Sequence, residues 1–234
     1  MKNNFVFFYT NPDGNFDYRL PLLLTKSIKH SFQNSYVYQL SDKGTPKIEG
    51  VDEIFISQNT SPHIMLNRAE AYRDLNLTET AVYLDTDMFI AKNFDIKKII
   101  DKNDAIFLRR SFMKDRKFNT KSHGLDLKEY ENLTLDKVYP YIGCFFVTKS
   151  FRFWIEFVNI YKKINKKFYN WYGDQEVIRI ISEKNLLNIS EVQEYKYACP
   201  PKYWNDDYDP YIIHFKGKNN KEKFIKEAIK NKMI

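Results

Sequence analysis

The sequence predicts an α/β fold, one domain on a mixed, mostly parallel central sheet flanked by helices. Three observations lead there. Short apolar segments alternate with helical patterns over the first hundred residues, as a layered sheet with crossover helices requires. The chain has 234 residues, 43% of them hydrophobic and 17% aromatic, enough for one large core. Only 7 Gly and 8 Pro occur, which excludes fibrous and low-complexity classes.

The elements follow in order. Phe5–Tyr9 is short, aromatic and β-branched and reads as a buried strand. Asn11-Pro-Asp-Gly14 is a turn. Tyr18 to Phe32 is a helix, with Leu20, Leu23, Leu24, Ile28 and Phe32 on one face and Pro21 in its first turn. Ser35–Leu40 and Val51–Ile56 are strands. Ser61-Pro62 marks a helix start running to about Leu75, with Ser as N-cap and Pro at the first helical position. Thr80–Leu84 is a strand ending in Asp85-Thr86-Asp87. Phe94–Ile100 is a short helix and Ala105–Leu108 a strand. Arg109 to Val138 is polar and poorly periodic, a long loop or lid with some helix. Tyr141–Thr148 is a strand, Phe151–Phe168 an amphipathic helix, and Gly173–Glu183 a helix. Tyr211–Ile213 is a late strand ending at His214, and Phe224–Ile234 is a basic helix. The division expected is a domain over 1–218 and a basic amphipathic segment over 219–234.

Composition narrows the function. Cys144 and Cys199 are too few for a disulfide framework and point to a reduced, cytoplasmic setting. No apolar run approaches the roughly 20 residues of a membrane span, and Phe5–Tyr9 is too short for a signal-peptide core. The formal net charge is +7. Seven lysines against two glutamates from Lys216 onward carry +5 of it. No basic stripe remains elsewhere, which argues against nucleic acid as a partner. The final segment sets Phe224, Ile225, Ala228 and Ile229 on one face and its lysines largely elsewhere. That pattern fits either packing against the domain or peripheral contact with an anionic membrane.

In parallel sheets ligands bind beyond the carboxyl ends of strands. Asp85 and Asp87 stand at such an end, between two apolar segments. In extended chain, residues two apart point the same way, so both carboxylates can meet at one point. Two like charges among apolar neighbours are costly unless a cation neutralises them. Magnesium or manganese would do so, completing its shell with water and phosphate oxygens. The bland reading is a turn cap plus a solvated carboxylate. His214 ends another apolar strand and reads either as a partly buried histidine or as a third ligand. Asp174 reads as a helix N-cap or as a functional carboxylate.

Val82-Tyr-Leu-Asp-Thr-Asp-Met-Phe89 resembles the metal motif of GT-A-fold, Rossmann-like glycosyltransferases, above all the glycogenin-like family 8 nucleotide-sugar transferases. Other segments fall in the same order. Tyr9, Thr10 and Asn11 resemble the nucleoside-binding loop, with Tyr18 as the ring stacking on the base. Arg68 and Tyr72 match the spacing on the helix whose basic residue reaches the donor. Gly173-Asp-Gln-Glu176 resembles the motif on the acceptor side, and His214-Phe-Lys-Gly217 the motif giving the third metal ligand. The family's lysine three residues beyond that glycine is Asn220 here, so Lys218 or Lys221 takes the diphosphate.

The resemblance implies transfer of a hexose from a nucleotide-diphosphate sugar, by preference a UDP-sugar, to a glycan or glycolipid in polysaccharide synthesis, with retention. Asp85, Asp87 and His214 would hold manganese or magnesium. Thr86, Gly217 and Lys218 would line the donor with Arg68, and Asp174 and Gln175 would flank the anomeric carbon. Were transfer inverting, Asp174 is the first candidate base. The rival readings are a non-catalytic nucleotide-sugar-binding module and a nucleotidyltransferase on a related fold. The latter carries a Gly-rich, basic phosphate loop after strand one, and Asn11–Asn15 has no Arg or Lys.

Overall fold

A computed structural model describes the chain except residues 1, 12–13, 15–16, 59–60, 62, 119–129, 131, 170–171, 205–207 and 232–234. Nine strands and eight α-helices follow among the described residues: β1 (Asn3–Phe8), α1 (Arg19–Ser31), β2 (Ser35–Ser41), β3 (Glu53–Ile56), α2 (Ile64–Asp74), β4 (Ala81–Leu84), β5 (Met88–Ile90), α3 (Ile96–Ile100), β6 (Ala105–Arg109), α4 (Leu135–Val138), β7 (Tyr141–Thr148), α5 (Arg152–Tyr161), α6 (Gly173–Glu183), β8 (Ile189–Gln193), α7 (Glu194–Tyr197), β9 (Ile212–His214) and α8 (Lys218–Lys230). Seven strands form one sheet in the order β3-β2-β1-β4-β7-β6-β8, and β5 pairs with β9 in a second. In the large sheet only β7 runs against its neighbours. The mostly parallel, helix-flanked sheet expected from the sequence is therefore present.

Side-chain alternation along each strand decides which layer covers it. Val82 and Leu84 of β4 join Phe5, Phe7, Phe145 and Val147 under α1, while Ala81 and Tyr83 join Val6, Phe107 and Phe146 under α2, α5 and α6. All four residues of β4 are buried, which suits a strand covered on both faces. Phe5, Phe7, Phe107 and Phe145 show no exposure, each contributing about 1.5–3 kcal/mol by leaving water.

Three expectations change. α2 starts at Ile64, beyond the expected Ser61 cap, with His63 extended in front. Ser61 instead closes a local turn, its Oγ accepting from the His63 amide at 3.3 Å, a habit of short hydroxyl side chains; Pro62 lies outside the described residues. The helix expected over Phe151–Phe168 stops at Tyr161. A 3-10 turn over Lys166–Phe168 follows, capped by the Asn165 side chain, which competes with helix continuation. The last helix begins at Lys218, six residues before the expected start. Gly217, at φ 90°, makes the sharp entry that a residue with a Cβ resists. It docks through Phe224, Ile225 and Ala228 on Leu20, Leu23, Ile213 and Phe215, and Ile229 stays 49% exposed. The short β5, β8 and α7 lack a sequence signal of their own.

The expected lid falls partly outside the described residues. Its described flanks are tied together: the Phe118 amide donates to the Leu133 carbonyl, and the Leu135 amide to Arg116, both at 2.8 Å. Among the described residues no helix is long and apolar enough to cross a membrane.

Candidate active site

β1, β4, β6 and β8 run parallel in effect, since β7 reverses between β4 and β6. Their carboxyl ends, with Tyr9, Asp85, Arg110 and Glu194 just beyond, open on one edge. β4 reaches Leu84 and then turns, the Met88 amide donating to the Asp85 carbonyl at 3.3 Å. Asp85 and Asp87 thus converge through a turn, where the sequence suggested an extended pair. β5 then pairs with β9 in a register setting Met88 opposite His214, and the Phe215 amide donates to the Asp87 carbonyl at 2.9 Å. That pairing brings His214 beside Asp87.

Ligating atoms of Asp85, Asp87 and His214 lie within 4.8 Å of one another. Two hard carboxylates and one imidazole suit a divalent manganese or magnesium ion, so the donor set fits a metal centre. Asp87 faces two cations. His214 Nε2 lies 3.2 Å from Oδ1 and Lys221 Nζ 2.8 Å from Oδ2. Burial pushes Asp87 upward, but His214 and Lys221 outweigh it and hold the carboxyl well below its usual range. Burial works against charge on His214 too, yet Cys144 and Asp87 raise its pKa well above 6.5.

Asp85 faces the other way. Its Oδ1 accepts from Arg68 Nη1 at 2.7 Å, while Nη2 reaches Asp174 Oδ2 at 2.8 Å and the Gly143 carbonyl at 3.2 Å. Arg68 therefore spans from α2 to both acids. Its side chain is 12% exposed and Asp174's 8%, a partly desolvated pair of charge-assisted bonds. Burial raises the pKa of Asp85 and of Asp174. Gly143 makes room for this: a Cβ there would sit 2.1 Å from Asp174 Oδ2. Asp174 and Gln175 open α6 in its first turn, where the helix dipole favours an acid. Asp174 Oδ1 accepts from the Gln175 amide at 2.7 Å, and Gln175 Oε1 takes a bond from Arg110.

The remaining expected residues sit nearby. Tyr9 is 5% exposed, its hydroxyl accepting from Asn11 Nδ2 at 2.9 Å. Thr10 follows β1, and the Asn11 amide donates to Thr45 Oγ1. Tyr18 stands 58% exposed ahead of α1. Thr86 lies between the two aspartates and Gly217 at the entry to α8. Lys218 points away, its side chain 88% exposed and 3.9 Å from Glu222. Lys221 is the lysine that reaches the acids. Sequence reasoning missed Gly143 and Arg110; the signal was an arginine closing an apolar strand at the same edge as Asp85.

No protein-family model matches this chain, and no curated protein matches it. Among solved structures it is similar to the crystal structure of the glycosyltransferase GlyE of Streptococcus pneumoniae TIGR4, with a TM-score of 0.58 and 11% identity. The apo form of GlyE gives 0.57 and 11%. Each likeness covers 99% of this chain and 64% of the other, so the chain spans less than two thirds of the length of these structures. At that identity the likeness is one of fold. The chain thus has the mixed α/β fold of a solved glycosyltransferase, with an Asp-Asp-His cluster at the carboxyl edge of its sheet.

Proposed function

We propose that this chain is a metal-dependent glycosyltransferase that moves a hexose from a UDP-sugar to a glycan or glycolipid, with retention, as in the glycogenin-like family 8 enzymes. The single observation that carries the reading is the meeting of Asp85, Asp87 and His214 within 4.8 Å at the end of β4. The GlyE-like fold supports it.

Asp85, Asp87 and His214 hold manganese or magnesium. The bound ion supplies fixed positive charge where the departing diphosphate gathers negative charge. Tyr9, Thr10, Asn11 and Tyr18 bind the nucleoside, with the exposed Tyr18 ring free to stack on the base. Thr86 and Gly217 line the diphosphate. Lys221 leaves Asp87 for a phosphate oxygen and meets it as a point charge; Lys218, solvated beside Gly217, has the lesser part. Arg68 bridges Asp85 and Asp174 and orients the donor. Asp174 and Gln175 flank the anomeric carbon and position the acceptor. The exposed lysines of α8 lie against a membrane bearing the acceptor, as a small appendage to the domain over 1–218. The setting proposed is cytoplasmic, peripheral to that membrane.

Incubating the chain with UDP-sugars, manganese and glycan acceptors, and following UDP release and the product anomer by NMR, tests this. The expected result is manganese-dependent UDP release and a retained configuration. An inverted product would remove the family 8 likeness and make Asp174 the base. No release from any nucleotide sugar would overturn the proposal.

A further inference from the structure

The polar row at the sheet edge continues past Gln175 to Arg110. Its backbone is fixed just ahead of β7, the amide donating to the Pro140 carbonyl at 2.8 Å. Its side chain turns inward and the residue is 7% exposed, the only lysine or arginine so buried among the described residues. Nε donates to the Tyr139 carbonyl and Nη2 to Gln175 Oε1, both at 3.0 Å. Both acceptors are neutral. The contrast within the fold is sharp. Arg68 holds two aspartates, Arg109 holds Asp136, and Arg179 holds two glutamates. Arg110 has no such ion pair among the described residues. The acid that most favours its charge, Glu194, commits Oε2 to the amides of Ser111 and Phe112 at 2.8 and 2.9 Å. Burial accordingly pulls the Arg110 pKa down.

An enclosed charge with no direct ion pair, and with only the amide-bound Glu194 as its main acidic neighbour, is costly. Nη1 has no partner among the described residues, yet it is not one of the sealed, unpartnered atoms of the interior. Among the described residues that edge of the guanidinium is unpartnered, next to the one bonded to Gln175 Oε1.

We propose that Arg110 recognises an anionic group, a carboxylate or a phosphate, on the sugar that Gln175 positions. The substrate is then an acidic sugar. This rests on the glycosyl-transfer reading. A guanidinium fork matches a carboxylate or phosphate face, and its charge-assisted bonds are strong where water is scarce. The anionic group belongs either to the donor sugar or to the acceptor.

Isothermal titration of the full chain with manganese separates the cases. UDP alone is measured first. UDP-glucuronate is then compared with UDP-glucose. With UDP saturating, methyl glucuronide and glucose 6-phosphate are compared with methyl glucoside. The acidic member of one set should bind about tenfold tighter or more. Arg110→Gln should erase that ratio and leave UDP affinity unchanged, and Arg110→Lys should recover part of it. Preference within the donor pair assigns the group to the donor, and within the acceptor set to the acceptor. Equal binding in both sets, or a ratio surviving Arg110→Gln, overturns the proposal. A purely structural Arg110 would lower the melting temperature of Arg110→Gln without moving the ratio. UDP binding with equal ratios removes this proposal alone, whereas no UDP binding removes the glycosyl-transfer reading and this proposal with it.

Discussion

At the Asp87 end of the polar row, a carboxylate is satisfied by the buried His214 and by one cation that can leave. Lys221 comes from α8, with 37% of its side chain exposed. At the Asp174 end, a carboxylate is satisfied by a cation that cannot. Arg68 is 12% exposed, bonds two acids and a carbonyl, and rests against a glycine with no room for a Cβ. The first end is built for exchange, the second for position. This is why the two acids of Asp85-Thr-Asp87, two residues apart, have different partners.

The largest effect expected from that contrast is at the exchange end. Asp87→Asn should weaken manganese affinity by at least about a hundredfold, since even supporting residues of metal sites cost 10–100-fold; titration calorimetry reads it. At the positioning end Gly143→Ala should lower stability by about 1–3 kcal/mol as Asp174 is forced from its place, measured by urea unfolding. An unchanged midpoint would show the position to be adaptable after all. A smaller effect separates the two lysines: Lys221→Gln should weaken UDP binding about tenfold, while Lys218→Gln, already solvated, should change it less.

The smallest effect lies outside the row. Burial raises the Asp52 pKa, but Lys29 and the Val37 amide outweigh it and hold the carboxyl below its ordinary value. A depressed acid stabilises the fold above its unfolded pKa of about 3.9 and loses that contribution as pH falls through the lower folded value. Asp52→Asn should flatten the acid limb of a stability-against-pH curve below about pH 4, by less than about 1 kcal/mol for a screened pair.

Much of this was legible because it is written in short range. The runs Phe5–Tyr9 and Thr80–Leu84 are apolar on both strand faces, and the acids follow the second directly. Gly173–Glu183 shows its helical period and starts with the acids that a helix start favours. What was not legible depends on partners distant in sequence. β5 is three residues long and exists because β9 pairs with it. β8 has an exposed Ser190 and Glu191 and exists by pairing with β6. Gly143 has no turn to make; its reason is Asp174, 31 residues on. Arg110 sits at the head of a polar stretch and becomes distinctive only once Gln175 and Tyr139 are seen around it.

The central claim is that the row's acidic end binds a divalent cation together with a nucleoside diphosphate. The direct measurement is a thermal-shift series of the intact chain with UDP, manganese, both and neither, repeated for Asp85→Asn and Asp87→Asn. The account predicts that UDP and manganese together raise the melting temperature beyond the sum of their separate effects. That excess should vanish in both variants. An unchanged excess in either variant, or none in the original chain, would contradict it.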